Sequence, residues 1–289
     1  MNRSSGILLH ISSLPSKYGI GCFSEAAYNF TDWLSDAGQS YWQILPLGPT
    51  SYGDSPYQSF SSFAGNPYFI SLEEFIDIGY LTKEECNEIN FGENISSIDY
   101  GSLYKNRYTL LNKAYKRSDI SKDSKFQSFV NQNSYWLDDY ALFMAVKNKF
   151  NGSTWTEWNE DIKLRTSEAI ERYSYELSEE IEFQKFMQFH FYLQWNKLKT
   201  YVNSKGIKII GDIPIYVAFD SADAWANPQL FQFDENNTPI AVAGCPPDGF
   251  SATGQLWGNP LYKWDYHKKT DYKSVSYTHL RAHETLRHL

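Results

Sequence analysis

The sequence predicts an α/β fold in which parallel strands are wound with covering helices in the manner of a (β/α)8 barrel. Only about three strands, the N-terminal part of such a barrel, are expected, together with a mostly helical insertion. Two observations carry the expectation. Residues 205–212, KGIKIIGD, read as a helix stop, an apolar run and a carboxylate: Gly206 sits where a helix would end, and Ile207, Ile209 and Ile210 suit a strand covered on both faces. Two further short apolar runs, residues 6–11 and 41–45, are each separated from the next by a helical stripe, the alternation that winds a parallel sheet.

Taken in order, Gly-Ile-Leu-Leu-His-Ile at 6–11 is the first strand, broken by Ser12, Ser13, Leu14 and Pro15. His10 on it is expected to be a hydrogen-bonded core histidine. Ser24 is placed to cap the next helix, Ala26, Phe30, Trp33, Leu34 and Ala37 form its stripe, and Gly38 ends it. The second strand, 41–45, stops at Pro46, and the loop 48–67 is crowded with Ser, Gly, Tyr and Pro, giving turns and hydroxyl donors where a polar ligand would lie. From about 72 to 182 the chain is charged and mostly helical. Leu137, Tyr140, Ala141, Met144 and Ala145 keep a helical stripe, and Trp155 and Trp158 belong with the core. A long helix through Phe186, Phe189, Leu193 and Val202 leads to Gly206 and the third strand, 207–212. Asp212 falls where that strand ends, a position that in such barrels faces substrate, although a turn or capping aspartate reads the same. The expected division is 1–70 for the first two strands and a substrate loop, 71–182 for the insertion, 183–273 for helix, third strand and a mobile loop, and 274–289 for a non-native tail. Three strands cannot close a barrel, so a wet apolar face, with aggregation or a molten state, is expected of this chain.

Composition excludes several partners. With 26 basic against 34 acidic residues the net charge is −8 and no long Lys/Arg run exists, which argues against nucleic acid and anionic membrane. No apolar run approaches a membrane span and no leader pattern opens the chain, so a cytoplasmic protein is expected. Cys22, Cys86 and Cys245 lack metal-like spacing and should stay thiols. His279 and His283 lie four apart in the tail SVSYTHLRAHETLRHL, but the segment reads as vector read-through, and neither metal nor cofactor is expected. Aromatic residues make up 17% of the chain, a surplus that suits stacking on sugar rings, although most of these rings must be core.

Four segments in order, RSSGILLHISSLPSKYGIG (3–21), YWQILPLGPTSYGDSPYQSFSSFAGNPY (41–68), QWNKLKTYVNSKGIKIIGDIPIYV (194–217) and GCPPDGFSATGQLWGNPLY (244–262), resemble the 4-α-glucanotransferases. This is the amylomaltase or disproportionating-enzyme family, glycoside hydrolase family 77, related to the α-amylases. The resemblance covers roughly residues 3–273 and implies a (β/α)8 TIM-type barrel that moves a segment of an α-1,4-glucan to the 4-hydroxyl of another glucan. Retention in that transfer needs two carboxyl groups, one attacking the anomeric carbon and one acting as acid and base. In the family the nucleophile follows an Arg-x-Asp-His pattern, which occurs nowhere here, so the catalytic carboxylates are expected to be absent and the chain inactive.

What the resemblance does imply is a binding half-site. Ser55 and Tyr57 match donor-glucan contacts, and Asp212 matches the strand-three aspartate that supports the sugar. Asp248, Phe250, Gln255 and Trp257 match a lid over the acceptor side, whose glycines Gly244, Gly249, Gly254 and Gly258 would make it mobile. Tyr52 matches a possible secondary glucan site. The implied partners are α-1,4-glucans and maltooligosaccharides, without cofactor. An α-amylase-type hydrolase and a glucan-binding module without chemistry are the competing readings.

Overall fold

The structure is a computed structural model describing residues 3–51, 54–92 and 96–272. Strands β1 (Gly6–Leu8), β2 (Tyr41–Gln43) and β3 (Lys208–Ile210) form a parallel sheet in the order β1-β2-β3, with Leu8, Gln43 and Ile210 side by side in register. The regular ladder is shorter than the apolar runs because the chain turns early: Ile11–Ser13 is already a 3-10 turn, and Asp212 lies two residues beyond β3. Single bonds, Leu9 N–H to Gln43 O (3.0 Å) and Ile44 N–H to Ile210 O (3.0 Å), carry the pairing one residue further.

One expectation fails here. The third strand is covered on one face only: Trp42 and Ile209 are buried against helices, whereas Leu8 is 56% and Ile210 42% exposed. Successive strand residues point to opposite faces, and among the described residues nothing lies over the face that carries Leu8, Gln43 and Ile210.

Helix α1 (Glu25–Asp36) crosses from β1 to β2, and its buried face is Ala27, Thr31 and Leu34, with Thr31 Oγ1 donating to Ala27 O at 2.9 Å. The expected stripe is therefore rotated by about one position. Trp33 and Ala37 are outside, and Trp33 stacks on Phe30 at 5.8 Å. Ser24 stands at the N-cap but its side chain does not cap. Gly38 follows the C-cap at φ 67°, the left-handed position expected of it.

Between β2 and β3 come α2 (Leu72–Asp77), α3 (Lys83–Asn87), α4 (Tyr100–Arg117), α5 (Ser124–Lys149), α6 (Glu160–Lys163), α7 (Ser167–Glu176) and α8 (Ser178–Ser204). Two apolar cores result. One joins the sheet to α1, α2, α4 and α8. The other gathers Tyr140 and Phe143 of α5 with Trp155, Trp158 and Trp225, so Trp155 and Trp158 are core as expected. Leu193 is the exception to the expected α8 stripe, 47% exposed while Phe186, Phe189 and Val202 are buried.

Helix α8 also carries two buried glutamines that act as strand partners. Gln188 accepts from Gly65 N–H (2.7 Å) and donates to Gly65 O (2.9 Å), and Gln194 accepts from Ser71 N–H (2.7 Å) and donates back to Ser71 O. Each satisfies both backbone groups of one residue, which fixes the end of the loop leaving β2. After β3 come α9 (Ala222–Ala226), an antiparallel hairpin of β4 (Val242–Cys245) and β5 (Gln255–Pro260), and α10 (Trp264–Lys269).

Two buried histidines make the fold acid-sensitive. His10 is enclosed beside Phe69, its Nδ1 accepting from Leu45 N–H, and His190 is caged by Phe75, Phe186 and Phe189 with Nε2 unpartnered. Burial holds both imidazoles down at about 4, and Asp123, the charged group that acts on His190, opposes this only in part. The unfolded chain takes up these protons below about pH 6.5 while the folded chain refuses them. Stability is thus lost as pH falls from about 6.5 toward 4, by about 2 kcal/mol per histidine already at pH 5. His190→Leu should remove roughly half of the drop in urea-unfolding stability between pH 7 and pH 5; an unchanged drop would show that His190 is protonated in the folded state.

Candidate functional site

The C-terminal ends of the three strands open on one side of the sheet, and the loops that follow β2 and β3 meet there. Beyond β2 the chain folds back on itself through Ser51 N–H to Gln58 O (3.0 Å), Gln58 N–H to Ser55 O (3.1 Å) and an antiparallel bridge between Thr50 and Ser59. Ser55 Oγ accepts from Tyr57 N–H at 3.3 Å, a hydroxyl turn of the kind this Ser-Pro sequence favours. The turn aims Tyr57 across the site, and Tyr57 Oη donates to Asp212 Oδ2 at 2.7 Å.

Asp212 is held in place from its own backbone: Oδ1 accepts from Ile213 N–H at 2.8 Å. The hydrogen bond to Asp212, aided by partial burial and the carboxylate's charge, pushes the Tyr57 phenol up to about 12. The phenol therefore stays protonated and remains a donor at any ordinary pH. Tyr57 is exposed and Asp212 half-buried, so the pair presents a hydroxyl and a carboxylate at the surface. Beside it is a cavity of about 490 Å³ bounded by Asp212, Ser61, Phe191, Trp195 and Lys199.

The β4–β5 hairpin reaches this pair from the far side. Gln58 Nε2 donates to Trp257 O (3.2 Å) and to Asn259 Oδ1 (3.1 Å), and Asn259 Nδ2 donates to Val217 O (2.8 Å) in the loop after β3. Trp257 is 39% exposed and its Nε1 donates to Gln255 Oε1 at 2.9 Å. The Tyr216 ring stands between Trp257 (6.4 Å) and Tyr262 (5.9 Å), stacked on the latter.

Ser55, Tyr57, Asp212, Gln255 and Trp257 are thus joined by an unbroken chain of contacts. Asp248 and Phe250 are not. They occupy the hairpin tip, where Asp248 Oδ1 accepts from Phe250 N–H (2.9 Å) and Ser251 N–H (2.8 Å) and the Phe250 ring is wholly in solvent. Two glycines have tasks other than mobility. A Cβ on Gly244 would meet Gln255 O at 2.5 Å across the hairpin, and one on Gly254, at φ 74°, would meet Cys245 O at 2.5 Å.

Sequence reasoning passed over Gln58 and Asn259, although both lie inside motifs it used, because an amide has no spacing that announces its partner. It also passed over a second cleft of about 860 Å³, where Tyr100, Tyr104 and Tyr108 of α4 face Tyr68, Asp54 and Asn148. There a signal existed, since three tyrosines four residues apart make a helical stripe. Tyr52 and the tail with His279 and His283 lie outside the described residues; Ser51 and Asp54, which flank residues 52 and 53, border this cleft. Among the described residues no group of His, Cys, Asp and Glu could hold a metal ion, and no helix is long and apolar enough to cross a membrane.

Comparison with known proteins shows the family and the fold. Residues 9–286 match the family described as 4-alpha-glucanotransferase. A 4-alpha-glucanotransferase of Clostridium butyricum is 55% identical over 266 residues, covering 92% of this chain and 55% of the relative, and one of Thermus thermophilus is 45% identical, covering 91% and 52%. The amylomaltase of Streptococcus agalactiae in complex with acarbose superposes with a TM-score of 0.94 at 43% identity, over 98% of this chain and 58% of that one. At 21% identity and a TM-score of 0.68, the amylomaltase of Corynebacterium glutamicum shares the fold, over 90% of this chain and 36% of its own. The chain spans about half the length of the curated relatives it matches. With identity this high along nearly all of its residues, the chain belongs to the 4-alpha-glucanotransferase family.

Proposed function

We propose that this chain carries the sugar-binding half of an α-1,4-glucan transfer site, and that the whole protein transfers glucan segments by a retaining double displacement. The observation that supports it best is the Tyr57–Asp212 bond, which joins residues 155 apart in sequence, in the loops that follow β2 and β3. A protonated phenol beside a carboxylate offers a donor and an acceptor, the pairing that vicinal sugar hydroxyls require. Trp257 supplies an aromatic face at the acceptor side, and a lid there would exclude water from a glycosyl intermediate. Tyr52 is proposed, on the family resemblance alone, as part of a secondary glucan contact.

The proposed chemistry needs two carboxylates about 5–5.5 Å apart across the scissile bond. The sequence contains no Arg-x-Asp-His, so the chain as given is expected to bind without turning over. In calorimetry, maltoheptaose should bind the chain and Asp212→Asn should weaken it about tenfold, the loss of roughly 1.4 kcal/mol from a charge-assisted hydrogen bond. The same samples with maltotriose should release no glucose. Equal affinity of parent and variant would remove Asp212 from the site, and turnover scaling with protein concentration would refute the absence of catalysis.

A further inference from the structure

We propose that Gln58 and Asn259 form a latch that fixes the base of the β4–β5 hairpin to the substrate loop, making both of them positioning residues for the lid. The inference rests on the reading of this site as a glucan site and adds to it the mechanical link between its two sides.

The geometry is that of a reciprocal amide pair. Gln58 Nε2 donates to Asn259 Oδ1 at 3.1 Å while Asn259 Nδ2 faces Gln58 Oε1 at 3.5 Å, and each amide spends its other donor on a backbone carbonyl, Trp257 O at 3.2 Å and Val217 O at 2.8 Å. Three separate segments therefore converge on one pair: the loop after β2, the loop after β3 and strand β5. Asn259 is 4% exposed, so its amide cannot exchange these bonds for water without opening the hairpin base.

Apolar burial anchors the hairpin through Ala243 of β4 and through Pro260 and Tyr262, the latter stacked on Phe231, but not along residues 255–258. Gln255, Leu256, Trp257 and Gly258 are all exposed, and the hairpin beyond them bonds mainly to itself through Asp248, Ser251 and Gly254. Beside the latch the Tyr216 ring meets Trp257 and stacks on Tyr262, and Tyr216 immediately precedes Val217, whose carbonyl the latch already holds.

Position makes the latch informative as well as structural. Gln58 is bonded to Tyr57 by one peptide, and Tyr57 holds Asp212. A sugar hydroxyl that displaces Tyr57 from Asp212 and draws the 57–58 peptide with it moves Gln58, and through Gln58 the carbonyl of Trp257. A ligand on the donor side thus biases the lid on the acceptor side through one residue, a coupling that requires two arrangements of the latch and a difference in sugar affinity between them.

Amide exchange read by mass spectrometry tests this on the chain itself. In Gln58→Leu without sugar, peptides spanning 255–262 should exchange about tenfold faster, while peptides of α8 and the three strands, and the urea midpoint, stay as in the parent. Gln58→Glu, which keeps the shape but turns a donor toward two oxygens into a third oxygen, should do the same and serves if the leucine variant folds poorly. Maltoheptaose should protect 255–262 in the parent and lose that effect in both variants, while still protecting peptides around Tyr57 and Asp212. Unchanged sugar-free exchange at 255–262 in both variants would overturn the latch. Full transmission of the sugar's protection in the variants would overturn the coupling. No protection anywhere in the parent would instead count against the glucan site, leaving the sugar-free comparison to judge the latch alone.

Discussion

Arg107→Met is expected to cost the fold about 3–5 kcal/mol, a large part of the total stability of an ordinary domain. Arg107 of α4 is fully buried, and among the described residues no carboxylate lies within salt-bridge distance of it. Its guanidinium donates to Tyr18 O (3.3 Å), Tyr68 O (3.2 Å) and Ile70 O, tying the loop after β1 to the end of the loop after β2. Methionine fills the space but leaves three buried carbonyls without that donor, each costing on the order of 1–3 kcal/mol, partly offset because a charge no longer has to be desolvated. Arg107→Lys should not rescue, since one ammonium cannot reproduce a planar fork. Urea unfolding decides: a methionine variant within about 1 kcal/mol of the parent would mean that the carbonyls find other partners.

Lys147→Met should be comparably damaging and should depend on pH in a particular sense. Lys147 Nζ lies 2.5 Å from Asp220 Oδ2, their side chains are 5% and 14% exposed, and Asp220 Oδ1 accepts from Trp155 N–H. Removing one partner of a buried pair leaves the other charged and unsolvated, at a cost of about 3–5 kcal/mol. Burial raises the Asp220 carboxyl above its ordinary value even with Lys147 present, against the opposing pull of that lysine. In the variant the folded chain therefore holds the Asp220 proton more tightly than the unfolded chain does. The damage should be small near pH 4 and grow as pH rises through the folded value of Asp220 toward 7. The acid effect of the histidines is common to parent and variant and cancels in the difference. Lys147→Met with Asp220→Leu should recover most of the loss at pH 7. Equal damage at both pH values, with no recovery in the double variant, would show that Lys147 acts through its packing on Phe60 and Phe143 rather than through its charge.

Neither Arg107 nor the Lys147–Asp220 pair is legible in the sequence. The motif GDIPIYV places Asp212 just past a strand and D-S-P-Y places Tyr57 in a turn-rich loop, because strand ends and Ser/Pro turns are local properties of neighbouring residues. That Tyr57 would donate to Asp212 is a contact across 155 positions, and no periodicity encodes it. Arg107 reads as one more polar residue on a charged helix, and Gln188 and Gln194 as a polar face of α8. They are buried because backbone carbonyls and amides of distant loops needed partners, a demand that appears only when those loops are folded.

Periodicity also misled where it was followed too literally. The α1 stripe was read one position off because Trp33 is apolar in composition yet packs sideways on Phe30, while Thr31 goes inside by returning its hydroxyl to the Ala27 carbonyl. Ile210 was read as buried because an apolar run of isoleucines looks alike whether one face or two are covered.

The sequence by itself determined the winding of the sheet, the helical insertion, the family and the loops that carry the candidate site residues, since each follows from short-range order or from motifs kept in line along the chain. Tertiary structure alone decided which polar side chains went inside, which face of the sheet stayed bare and how the hairpin is tied to the loop after β2. The physical reason is the same in all three cases: the cost of an unpartnered buried polar group, and the gain from covering an apolar one, are set by what lies opposite in space.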